Sequence, residues 1–389
     1  MPKKNPKRIG LAIIGGGRVG LFRGEVAARH PQVDFIGLAE IKPDRAKLVG
    51  GKIGADFITD DYRKLLARPE VTAAIIATDE HLHVDPILAA VERKLPVLIE
   101  KPLATGLADS ERVLAAIQKS GVDAVVGYTQ RFRRRWLVAK EKVRTGQLGD
   151  VSLVTSRAFM NRLVALDNYK RTDDPSEISP MVISGTHALD VVMWMMEGRR
   201  PVEVYARSVD KALGPLCGGI DATAGVVAFE DGSLYHASIS WALPTVWPGA
   251  VYSLEVGIVG TEGVLTIDDT HRDIVLATTI AQGEGYSPDS GRKVDFLGSY
   301  PPGDMALGEL RGPMREETRR GLRALGGQGA RADLQGDRRH RGSDRLRGRQ
   351  PLSRLDLVGA AQGVARRGLQ PGGRHRRHRG RAHDRRHAP

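Results

Sequence analysis

The sequence predicts an α/β chain: a doubly wound parallel sheet with helices on both faces, followed by an α+β domain with an open, mostly antiparallel sheet. Three observations predict it. From Ile9 to Gly127 short, almost wholly apolar runs alternate with amphipathic stretches, the pattern of parallel strands buried on both faces by crossover helices. A glycine-rich turn, Gly15-Gly16-Gly17-Arg18-Val19-Gly20, separates the first such run from the first such stretch. From about Val151 the strand candidates lengthen and are joined by tight turns.

Taken in order, Ile9 to Ile14 is a strand, the glycine turn follows, and Val19 to Ala28 is a helix that stops before His30-Pro31. Val33 to Ala39 is the second strand, ending at Glu40, and Pro43 opens the next helix from its first turn. Strands then fall at Ala73 to Ala77, Val97 to Ile99 and Ala124 to Gly127, with helices at Pro86 to Arg93 and Ala108 to Lys119. In the second half, strands are expected at Val151 to Phe159, Pro201 to Ser208, Ala222 to Phe229, Ser233 to Trp241, Tyr252 to Val259 and Gly263 to Ile267. Turns at Glu230-Asp231-Gly232 and Gly260-Thr261-Glu262-Gly263 punctuate them, and one helix, His187 to Glu197, crosses the sheet. The expected boundaries are 1–127 for the nucleotide-binding domain, 128–315 for the substrate domain and 316–389 for a tail.

The formal charge of +13 lies entirely in that tail. Residues 316–389 hold 20 Arg, no Lys, 7 acidic residues and no Phe, Trp or Tyr, whereas residues 1–315 hold 39 basic and 39 acidic residues. The tail lacks helical or strand periodicity and reads as a low-order segment. Its abrupt loss of lysine and aromatics points to out-of-frame translation of a GC-rich gene beginning after Thr318; an arginine-rich arm that neutralises nucleic-acid phosphates is the alternative. The single Cys217 excludes an intrachain disulfide, and no run approaches the roughly 20 apolar residues of a membrane helix. A cytoplasmic location is expected.

Gly15-x-Gly17-x-x-Gly20 carries the first chemistry. Such glycines let the backbone approach a pyrophosphate, whose charge sits on the free N–H groups of Arg18, Val19 and their neighbours at the helix start. Glu40, 20 residues after Gly20 at the end of the second strand, is placed to accept hydrogen bonds from ribose hydroxyls and to repel a 2′-phosphate, so NAD is expected. Lys42 nearby leaves NADP open. His81 and His83 have no third ligand at useful spacing, so no metal site is expected.

Five segments together resemble the Gfo/Idh/MocA oxidoreductases over residues 8–315: the glycine turn, Ala77-Thr78 with His83, Glu100-Lys101-Pro102, Gly127-Tyr128-Thr129-Gln130-Arg131-Phe132, and Gly185-Thr186-His187-Ala188-Leu189-Asp190. The resemblance implies a Rossmann N-terminal domain, NAD(P)-linked chemistry on a sugar or cyclic polyol such as an inositol, and a homo-oligomer built through the C-terminal sheet. It adds Thr78, His83, Glu100 and Lys101 to the cofactor-binding set. It assigns Lys101 as donor to the substrate oxygen and His187 as proton acceptor, with Asp190, one helical turn on, as their helper. Arg131, Asn161 and Tyr169 complete the substrate set with Lys101, His187 and Asp190. The chain departs from the family pattern with Asp79 for a proline, Thr129 for an asparagine, Arg134 for a proline, and Ile183 where many members place an aspartate four residues before the histidine. Two other readings stay open: an enzyme of glycosidase or lyase type that retains and recycles its NAD, and a non-catalytic nucleotide-binding protein.

Overall fold

In the computed structural model, residues 8–172, 175, 178–244, 253–268 and 309–325 are described, together with three short backbone segments at 275–277, 294–296 and 304–306. The N-terminal half forms β1 (Ile9–Ile14), α1 (Arg18–Ala28), β2 (Val33–Ala39), α2 (Pro43–Ile53), β3 (Phe57–Thr59), α3 (Tyr62–Leu66), β4 (Ala73–Ile76), α4 (Val84–Glu92), β5 (Val97–Ile99), α5 (Leu107–Ser120) and β6 (Ala124–Val126). All six strands are parallel, in the order β3-β2-β1-β4-β5-β6. That is a doubly wound sheet whose order reverses between β1 and β4. The strands β1, β4, β5 and β6 carry no polar side chain because helices cover both faces of the sheet: Ala12, Ile14, Ala74, Ile76, Val97 and Ile99 pack to one side, and Leu11, Ile13, Leu38, Ala73, Ile75 and Leu98 to the other. The strand β3 and helix α3 escape the sequence pattern, since three and five residues are too few to display a period.

The second half contains α6 (Arg134–Arg144), β7 (Val151–Asn161), α7 (Arg162–Tyr169), a π-helical turn at Met181–Gly185, α8 (Thr186–Met195), β8 (Pro201–Val209), α9 (Gly214–Cys217), β9 (Ala222–Phe229), β10 (Leu234–Leu243), β11 (Ser253–Gly260) and β12 (Val264–Asp268). They build a sheet of order β12-β11-β7-β10-β9-β8, antiparallel except for the parallel pair β7–β10. One face is closed by α6 and α8, with Trp136, Val154, Val191, Met195, Tyr235 and Ile258 in its core. Among the described residues the opposite face is uncovered and carries Leu153, Tyr205, Val226, Leu234 and Val259.

Four three-residue strands follow: β13 (Val275–Ala277), β14 (Val294–Phe296), β15 (Asp304–Ala306) and β16 (Glu309–Arg311). Helix α10 (Pro313–Leu325) then returns to the nucleotide-binding half, where it packs on α1 and on the 3-10 turn Thr129–Phe132. The helix runs across the expected boundary at 315 and supplies an amphipathic segment after it. Met314, Glu317, Thr318, Gly321 and Leu322 are buried at i, i+3, i+4, i+7 and i+8, and Leu322 joins the core beneath β1 and β4. The period was hidden because three of those five positions are not apolar. The remainder of the expected tail, 326–389, lies outside the described residues.

Candidate active site at the strand ends

The sequence-predicted cofactor residues gather at the carboxyl ends of the parallel strands, where a doubly wound sheet binds its ligand. Gly15 leaves β1 with φ of 99°, and a Cβ there would lie 2.4 Å from the Ala77 carbonyl oxygen, so only glycine permits the turn. A Cβ on Gly20 would lie 2.0 Å from the Gly15 carbonyl oxygen, whereas one on Gly17 would meet nothing within 4 Å. The turn is therefore tight on the protein side and open on the ligand side. Arg18 and Val19 begin α1, whose N-cap Gly17 supplies no side-chain acceptor to its first amides. Glu40, buried after β2, accepts from Gly16 N at 2.8 Å and from Lys42 N at 2.9 Å. These two bonds fix a carboxylate beside the glycine turn and an open depression of about 400 Å³ lined by Glu40, Ile41, Ala46, Ile58 and Asp60. Thr78, after β4, has a buried Oγ1 with no hydrogen-bond partner among the described residues. An open glycine turn, an uncapped helix start, a fixed carboxylate and a buried hydroxyl fit the pyrophosphate, ribose and amide groups of NAD.

His83 and Glu100 are placed differently. His83 is buried, with Nδ1 2.7 Å from the Pro102 carbonyl oxygen and Nε2 3.2 Å from the Thr78 carbonyl oxygen. Burial holds its pKa below the ordinary histidine value against the pull of those carbonyls. It ties the turn after β4 to the loop after β5. Glu100 is buried and accepts from Arg23 Nε of α1. Both residues thus support the cofactor cleft from behind.

Lys101 reaches across to the second domain, where its Nζ donates to the Ile183 carbonyl oxygen at 3.2 Å. Ile183 sits in the π-helical turn directly before α8, which begins at Thr186 and His187. Burial, aided by the nearby charge of Lys101, pushes the His187 imidazole down to about 3, so it is neutral across the physiological range. Its ring stands edge-on to Tyr128 at 6.2 Å between centroids, and Tyr128 Oη lies 2.9 Å from Thr186 Oγ1. The Glu80 carboxyl, in the 3-10 turn after Thr78, is held below its usual range: burial opposes the shift, but Lys101 and then Arg171 outweigh it. Glu80 carries no motif signal in the sequence; the charge field around Lys101 reveals it.

Asp190 and Arg131 come together instead of turning separately to a ligand. Arg131 Nε donates to Asp190 Oδ2 at 2.6 Å, Nη2 donates to Oδ1, and the guanidinium lies 5.5 Å from the Trp194 ring. Asn161 caps α7 by accepting from Leu163 N at 3.0 Å, and its Nδ2 donates to the Pro244 carbonyl oxygen at 3.3 Å. Tyr169 is buried edge-on against Trp241, with its hydroxyl accepting from Ile220 N at 2.9 Å. The polar groups of Asn161 and Tyr169, expected at the substrate, are thus engaged in shaping α7 and the floor below it.

The residues matched by the oxidoreductase family model with an NAD-binding Rossmann fold are 9–128. The GFO/IDH/MocA C-terminal domain model matches residues 136–266. An uncharacterized oxidoreductase of Bacillus subtilis, YrbE, is 28% identical over 283 residues, spanning 70% of this chain and 77% of its own. Myo-inositol 2-dehydrogenase of Thermotoga maritima is 26% identical over 279 residues, spanning 70% and 79%. Among solved structures, scyllo-inositol dehydrogenase of Lactobacillus casei with bound NAD(H) and scyllo-inositol superposes with a TM-score of 0.67 at 17% identity, covering 92% of this chain and 95% of that one. The open glycine turn, the fixed Glu40 and both matched domains lead to one conclusion: the chain belongs to the Gfo/Idh/MocA oxidoreductases and its N-terminal half is their NAD-binding Rossmann domain.

Proposed function

We propose that the protein is an NAD-linked dehydrogenase acting on a secondary alcohol of a sugar or cyclic polyol, with an inositol-like ring as the leading substrate class. The observation that carries this reading is the meeting of Lys101 and a neutral His187 where the nucleotide-binding sheet faces the second domain. Oxidising an alcohol requires a proton acceptor and a donor to the oxygen on which charge develops. His187, kept neutral by burial and by Lys101, takes the hydroxyl proton. Lys101 exchanges its bond to the Ile183 carbonyl for one to the substrate oxygen. Bound NAD supplies the hydride acceptor. Glu40 fixes the ribose and disfavours a 2′-phosphate, and Thr78 Oγ1 is available to the cofactor.

The sugar or polyol is the expected small-molecule partner, and the open sheet face with Leu153, Tyr205, Val226, Leu234 and Val259 supports self-association through the second domain. No helix among the described residues is long and apolar enough to cross a membrane. A panel of inositols, aldoses and uronic acids, assayed for reduced nicotinamide, tests the reading. Turnover of a polyol with equimolar NADH supports it; product without NADH selects an enzyme that recycles its NAD, and NAD binding without any turnover selects a nucleotide sensor.

A further inference from the structure

Behind Lys101 lies a buried ionic cluster that neither the glycine turn nor the substrate cleft uses. Arg23, on the inward face of α1, is fully buried. Its Nε and Nη2 engage Glu100 Oε1, Nη2 donates to Glu317 Oε2 at 2.7 Å, and Nη1 donates to Thr318 Oγ1 at 2.9 Å. Thr318 Oγ1 in turn donates to the Met314 carbonyl oxygen at 2.7 Å. One guanidinium thus joins three parts of the chain: the helix after the glycine turn, the end of β5 next to Lys101, and α10. The joint is closely built. A Cβ on Gly127 would lie 2.6 Å from Arg23 Nη2, and one on Gly321 would lie 2.7 Å from Leu98 Cδ1, so α10 rests directly on β5 three residues before Lys101.

We propose that Glu317, carried on α10, is a positioning residue for Lys101, acting through Arg23 and Glu100. The inference rests on the dehydrogenase reading for its kinetic part only. Arg23 holds Glu100 through Oε1, and the guanidinium is oriented by carboxyl groups on two sides. Removing Glu317 frees one side of the guanidinium, lets it tilt toward Glu100, and carries the adjoining Lys101 away from Ile183 and from the substrate oxygen. Rates fall when a donor is misplaced even though the ligand still binds. Glu317 Oε1 is buried with no hydrogen-bond partner among the described residues. Burial pushes the Glu317 carboxyl up, opposed by Arg23 and reinforced by Glu100, so a proton resides there at a pH where most glutamates have lost theirs. A glutamine therefore resembles the resident state and retains an oxygen to accept from Arg23.

The test compares Glu317→Ala and Glu317→Gln with the parent chain in two readouts. The first is kcat per NAD-binding site, measured well below the unfolding midpoint. The second is the NMR resonance of ¹³C-dimethylated Lys101, assigned by its disappearance in Lys101→Arg. The expected result for Glu317→Ala is a kcat loss of about tenfold, NAD affinity within about twofold of the parent, and a shifted Lys101 resonance. Glu317→Gln restores both kcat and resonance. Should the alanine variant fail to bind NAD, Glu317→Leu, which fills the same volume, takes its place. If no polyol is oxidised by the parent chain, the dehydrogenase reading fails and the resonance alone decides the positioning role. An unmoved Lys101 resonance in Glu317→Ala, with lowered thermal stability as the sole effect, overturns the proposal.

Discussion

Lys101 and Ile183 are bonded across the cleft through a main-chain atom: the ammonium of Lys101 donates to the Ile183 carbonyl oxygen at 3.2 Å. The side chain of Ile183 points instead into an apolar cluster with Met160, Val164, Tyr169 and Trp241. The residue that stands where an aspartate is common in the family still partners the lysine, by its backbone. Ile183→Val is therefore expected to leave kcat within about twofold, while the lost methylene lowers stability by about 1 kcal/mol. Steady-state kinetics and urea unfolding check this; a tenfold fall in kcat would show that the side chain, and not the carbonyl, sets the geometry.

The neutral state of His187 has a pH signature. Its folded pKa, pushed down to about 3, lies below the unfolded value of 6.5. The folded protein therefore holds fewer protons than the unfolded chain between those values, and the His187 contribution to stability is full above 6.5 and is lost as pH falls toward 3. In the proposed role of proton acceptor, the imidazole stays neutral in mildly acidic solution by the same shift. The profile of kcat/KM is expected to show no limb near 6.5 that vanishes in His187→Gln; a limb there would mean that the imidazole is far better hydrated than its packing indicates.

Glu317 gives the opposite sign. Its folded pKa is raised from 4.5 to about 7, with Arg23, Glu100 and Asp190 as the charged groups acting on it. Its contribution to stability is full below 4.5 and is lost as pH rises through 7. Glu317→Gln is expected to flatten the stability curve between those limits, read as unfolding free energy against pH, and an unchanged slope would contradict the assignment.

Arg23 is the cation on which two buried carboxylates depend. Arg23→Met leaves Glu100 and the ionised fraction of Glu317 without a counter-charge, and removal of one partner from a buried ion pair costs about 3–5 kcal/mol. Chemical denaturation is expected to show a loss of that size at neutral pH and a smaller one in acid, where Glu317 is protonated.

Asp190 is bound to Arg131 by two hydrogen bonds. Asp190→Asn is expected to lower the affinity for the polyol through a displaced Arg131 and Trp194, leaving the pH dependence of kcat/KM unmoved. A shift of that dependence would place Asp190 in the proton pathway.

The parallel sheet was legible because strands buried on both faces must be apolar along their length, and the positions of Glu40, Thr78 and Lys101 at the strand ends were legible because each follows such a run. What escaped was set by contacts distant in sequence. Arg23 lies on a helix face that otherwise reads as core, and its partners Glu317 and Thr318 stand 294 and 295 residues away. A charge on a buried face is a signal, yet its partner cannot be found from helical spacing alone. The pairing of Arg131 with Asp190 was equally hidden, 59 residues apart, although each was singled out as a site residue. Asn161 ends β7 and Tyr169 ends α7, and local capping and packing claim their polar atoms. The helix α10 was missed because its buried face is built from a glutamate, a threonine and a glycine beside only two apolar residues.

The proposed role of Lys101 in an NAD-linked oxidation of a polyol is decided by following nicotinamide reduction with an inositol and sugar panel for the parent chain and Lys101→Ala, with NAD binding measured on both. Substrate-dependent NADH formation by the parent chain is expected, with a loss of at least about a hundredfold in kcat for Lys101→Ala and NAD affinity nearly unchanged. Full turnover by Lys101→Ala would contradict that role.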